Sequence, residues 1–94
     1  MDETVAIDQL EALAHKLGVQ VRYERLDSEE AFTSGGLFKL RGRHFIIVNS
    51  RATRQEKIKT LAGALRRFDL SGVYIRPAIR QLLEGYDALN KDKE

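Results

Sequence analysis

His15 and His44 are the only imidazoles in this chain, and its 94 residues contain no cysteine. Without a thiol there is no disulfide framework, no thiolate zinc site, no iron–sulfur cluster and no cysteine nucleophile. His15 follows Glu11 by four residues on the polar side of a helical pattern, which predicts a solvated pair and not a metal ligand. His44 stands beside Arg43 with no second histidine and no acidic cluster nearby, so neither metal binding nor general-base work is expected of it. Ser28, Ser34, Ser50 and Ser71 fall in loop-like stretches and lack a G-x-S-x-G elbow. The expectation is a chain with no catalytic residue, no metal and no cofactor. An enzyme with an unrecognised site is the outlying alternative.

A basic cluster is the more suggestive feature. On a helix, Lys59, Arg66 and Arg67 surround Gly63 at i−4, i+3 and i+4, ringing bare backbone with cations. Such a ring suits a phosphate or carboxylate on a partner, although an ordinary solvated basic face has the same composition. Lys39 and Arg41, expected on one strand face, add to the field. Residues 35–80 carry eleven bases and two acids, a charge of +9, whereas residues 1–34 carry three bases and eight acids, a charge of −5. Aromatic residues make up 7% of the chain, and none is interleaved with these bases as a stacking platform for nucleic acid requires. The favoured partner is therefore a protein surface, or self-association through the acidic segment of a second copy, with nucleic acid second. Phe32, an apolar residue among the acids and hydroxyls of the Asp27–Ser34 stretch, either closes over the core or anchors a partner.

The elements that must hold these residues follow from periodicity. Ile7, Leu10, Leu13, Ala14 and Leu17 draw one helical stripe over 4–17, and Gly18 with Val19 supplies a left-handed C-terminal cap. Val19, Val21 and Tyr23 alternate with polar residues, predicting a strand over 19–26. Strands over 37–41 and 43–49 flank Gly42 as a hairpin. Phe45-Ile46-Ile47-Val48 is apolar on both faces, so helices are expected on one side and a loop or partner on the other. Thr53-Arg54-Gln55-Glu56 has the form of a capping box and starts a helix over 53–68. Pro77 opens a third helix over 77–89. The fold class is thus α+β in the order α-β-β-β-α-α, with a three-stranded antiparallel sheet, taken as a meander, packed by three helices. One domain over 1–89 and a frayed tail over 90–94 complete the expectation.

The strand Ile46-Ile47-Val48-Asn49, a short polar turn, and a helix containing Thr60-Leu61-Ala62 together resemble the ImmA/IrrE-type zinc metallopeptidase domain. The match spans about a quarter of the chain. In that family T-L-A is followed by H-E-x-x-H. The resemblance places the two zinc histidines at Gly63 and Arg67 and the general-base glutamate at Ala64. None of the three can do that chemistry, because zinc hydrolysis needs two imidazoles at i and i+4 and a carboxylate to move the proton of the bound water. The resemblance implies a shared fold without the peptidase activity. By angular position, residues 63 and 67 point away from the Ile58/Leu61/Leu65/Phe68 stripe, toward solvent or a partner.

The longest apolar run, Phe45–Val48, is too short for a spanning helix, and the acidic Met1-Asp2-Glu3-Thr4 start is unlike a signal peptide. A cytoplasmic, membrane-free protein-interaction or regulatory module is the expected function.

Overall fold

A computed structural model describes residues 2–26 and 35–91, with side chains up to Gly85. The elements are α1 (Glu3–Lys16), β1 (Gln20–Glu24), β2 (Gly35–Leu40), β3 (Arg43–Asn49), α2 (Arg54–Leu65) and α3 (Pro77–Lys91). The order α-β-β-β-α-α is the one the periodicities predict. The stretch 27–34, with Phe32, lies outside the described residues, as does 92–94.

Local chemistry sets most boundaries. The Asp2 carboxylate accepts the Thr4 N–H at 2.9 Å and caps α1, a signal that the sequence reading passed over. At the other end Gly18 has φ +76°. Its N–H donates to the His15 carbonyl at 3.0 Å and that of Val19 to the Ala14 carbonyl at 2.9 Å, the paired bonds of a Schellman cap. In α2 the Thr53 hydroxyl accepts the Glu56 N–H at 3.1 Å and the Glu56 carboxylate accepts the Thr53 N–H at 2.8 Å. The expected capping box is formed.

α2 is shorter than expected, ending at Leu65 instead of 68. The N–H groups of Arg67 and Phe68 donate three residues back, to Ala64 and Leu65, each at 3.1 Å. This tighter winding ends the regular helix while keeping those donors satisfied. The hairpin turn also differs by a residue. Arg41 (φ +53°) and Gly42 (φ +79°) both take left-handed backbone, the pattern of a two-residue type I′ turn. Arg41 therefore sits in the turn and does not share a strand face with Lys39.

The sheet corrects the expected antiparallel meander. Its order is β1-β3-β2. β3 pairs antiparallel with β2 but parallel with β1. The long connection from β1 lets the chain place β2 outside and return through the centre with β3. That places the most apolar strand where both its edges are bonded.

α1 and α2 cover one face of the sheet, and α3 packs on those two helices. Ile46 and Val48 of β3 are fully buried in one core cluster with Leu10, Leu13 and Ala14 of α1 and Leu61 and Leu65 of α2, to which α3 adds Ile79 and Leu83. Val21 and Leu37 pack against the same cluster. Tyr23 stays exposed: its hydroxyl donates to the Glu11 carboxylate and its ring lies 5.7 Å from the Lys57 ammonium. Glu11 thus partners Tyr23 across the fold, where a pair with His15 along the helix was expected.

Candidate functional site

The resemblance to a zinc peptidase is testable on its three positions. Gly63 is half-buried, Ala64 is buried and Arg67 is exposed beyond the end of α2. The regular helix needed to bring i and i+4 side chains onto one ion stops between them. No group of three or more metal-ligating side chains occurs among the described residues. A zinc ion does not fit this site. His44 is used in packing, its ring meeting that of Phe68 edge to face at 5.0 Å.

The basic ring around Gly63 is dispersed. Arg66 Nη1 donates to the Leu83 carbonyl at 2.9 Å, tying the end of α2 to α3. Lys59 points to a different place, the rim of a groove of about 540 Å³ between the start of α1, α2 and α3, where Ala6, Ile58, Ala62 and Leu82 form the apolar lining. Arg67 is exposed in the turn after α2. Lys39 and Arg41 belong to the hairpin, one on the strand and one in the turn. The six expected residues are thus spread over three elements and perform at least one structural task.

Side-chain alternation assembles a different surface. With Ile46 and Val48 committed to the helices, Phe45 and Ile47 must project from the opposite face of β3. The register puts Phe38 opposite Phe45, Gly36 opposite Ile47 and Leu40 opposite Arg43. On the other side it puts Gln20 beside Phe45 and Arg22 beside Ile47. The outer face therefore carries Phe38, Leu40, Phe45 and Ile47 as neighbours. Phe38 is 51% exposed and Leu40 63%, values far from those of core residues in strands of this size. Phe45 and Ile47 are half-buried.

Charge frames this patch unevenly. On the β1 side, Arg22 pairs with Glu24 at 3.3 Å. At the hairpin end, Arg41 and Arg43 make no ion pair among the described residues. The opposite end is closed by Asn49, a fully buried polar residue. Its side-chain oxygen accepts the Arg51 N–H at 3.0 Å, and its carbonyl accepts the Ala52 N–H at 3.0 Å. It shapes the turn from β3 into α2.

Neither Phe38 nor Leu40 carries a local sequence signal. The doubly apolar β3 calls for a shield on its second side, and only the register of β2 sets these two residues beside it. Among the described residues, no helix is long and apolar enough to cross a membrane. No family model, curated protein or solved structure matches this chain.

Proposed function

We propose that this α+β domain is a non-catalytic protein-interaction module that docks a partner on the outer face of its sheet. The observation that carries the reading is the grouping of Phe38, Leu40, Phe45 and Ile47 on the face opposite the helices. Single exposed apolar residues are ordinary, but two exposed ones, Phe38 and Leu40, contiguous with the half-buried Phe45 and Ile47 make an apolar patch of the kind that serves binding. β3 is apolar on both faces, and among the described residues no helix covers the second one, so a partner is the proposed second layer. The likeness to the ImmA/IrrE-type domain is read as one of fold, with Gly63, Ala64 and Arg67 in place of the zinc chemistry.

The test uses the domain as bait in native lysate, beside Phe38→Glu/Leu40→Glu. Both positions are more than half exposed, so the variant should keep its far-ultraviolet circular dichroism. A protein retained by the wild-type domain and by Lys59→Glu, but released by the double variant, is the expected result. Equal capture by the double variant would overturn the reading.

A further inference from the structure

The outer sheet face has dimensions that limit what can cover it. β3 has seven residues, which at about 3.3 Å each gives ~23 Å, and three strands at about 4.8 Å spacing give ~14 Å. The planar area is ~300 Å². A stable interface covers about 800 Å² on each partner, so any occupant confined to this face makes a small contact, and a second copy of the domain would need further surface to form a stable dimer. An α-helix is about 10–12 Å across and rises 1.5 Å per residue, so ~15 residues span the face from end to end. One helix fits both dimensions.

The positions of the apolar groups also favour a helix over an added strand. An extended segment pairing with the edge of β2 away from β3 would lie beside Phe38 and Leu40 in the plane of the sheet. It would leave Phe45 and Ile47, on the central strand, uncovered. A helix laid across the face meets all four and packs on the sheet as a second layer.

Charge selects the kind of helix. The acid within this face is Glu24, already paired with Arg22. Arg43 lies in the same row as Leu40, Arg41 follows in the turn, and neither has an ion-pair partner among the described residues. Resting on the docking surface proposed above, we infer that its occupant is an acidic amphipathic helix of about 15 residues from a protein partner. The apolar stripe of that helix covers Phe38, Leu40, Phe45 and Ile47, and its Asp or Glu residues lie over Arg41 and Arg43. A face of this size places the complex at the transient end of the affinity range.

A display selection with random 16-residue peptides on the wild-type domain, counter-selected on Phe38→Glu/Leu40→Glu, reads this chemistry directly. The expected clones carry apolar residues at i, i+3, i+4 and i+7 with flanking Asp or Glu. Their synthetic peptides gain helical circular dichroism on binding and bind Arg41→Glu/Arg43→Glu about tenfold more weakly, the effect of two modest charge pairs. Peptides alternating with period two, enrichment in Lys and Arg, or no clones that depend on Phe38 and Leu40 would overturn the helix. Failure here with release of the lysate partner by the double variant would leave the docking surface standing and remove only its occupant. A lysate partner indifferent to that variant would remove the surface itself.

Discussion

Ile46 and Ile47 are adjacent in sequence and identical in chemistry, yet the fold assigns them to opposite faces of β3. Ile46 is fully buried among Leu10, Leu61 and Leu65, which are themselves fully buried, so truncation there leaves a cavity with little room to relax. Ile46→Ala should cost about 4 kcal/mol, in the upper part of the range for such changes. Ile47 is half-buried on the outer face and borders no closed core. Losing three carbons that are half removed from water, at about 0.8 kcal/mol per fully buried methylene, costs roughly 1 kcal/mol. A domain of this length has about 5–14 kcal/mol of stability in all, so the first change removes a large share of it and the second does not. With a urea slope of about 1.2 kcal/mol/M, the midpoint should fall by about 3 M for Ile46→Ala and by about 1 M for Ile47→Ala. Should Ile46→Ala fail to fold, Ile46→Val against Ile47→Val carries the same comparison at about 1 kcal/mol or less. Equal costs at the two positions would mean that both faces of β3 are core, and the docking surface would have no basis.

Other consequences follow from single residues. Thr53→Ala should lower stability by about 1 kcal/mol, and adding Glu56→Ala should cost less than the sum of the separate changes because the two serve one reciprocal cap; a urea double-mutant cycle with strictly additive costs would contradict this. Gly35 has φ +123°, and a Cβ there would stand 2.0 Å from the Ile47 carbonyl oxygen, so Gly35→Ala should lower the melting temperature more than Gly42→Ala, where nothing lies within 4 Å. Burial, and then the hydrogen bond to Glu11, hold the Tyr23 phenol well above the ordinary tyrosine range. Its neutral form is favoured in the fold, so its contribution is complete below about pH 10 and is lost as pH rises beyond that. An absorbance titration should show a late-ionising tyrosine that Tyr23→Phe removes, and three tyrosines titrating together would refute it.

What could be read from sequence was whatever local chemistry decides. The Thr53/Glu56 box, the Gly18 cap and Pro77 each fix an element end within a few residues, and each is where expected. The apolar stripes picked out Leu10, Leu13 and Ala14 of α1 and Leu61, Ala62 and Leu65 of α2, all buried, but not the small residues Ala6, Thr60 and Ala64 that are buried beside them. Strand order was not legible, because the pairing of β1 with β3 instead of β2 depends on contacts across more than twenty residues. The outer patch shared that limit: Phe38 and Leu40 resemble any other strand residues until the register sets them against Phe45 and Arg43. The tertiary partner of Arg66 was hidden for a related reason. Helical spacing placed Arg66 beside Gly63, but the carbonyl of Leu83, seventeen residues on, drew its guanidinium to α3.

The most direct measurement of the central claim is a chemical-shift map of the labelled domain with its captured partner at saturation. The largest perturbations should fall on Gly36, Phe38, Leu40, Arg43, Phe45 and Ile47, along one face of β2 and β3. Perturbations confined to Lys59, Ala78 and Gln81 around the helical groove, or to Arg67, with the outer face silent, would contradict it.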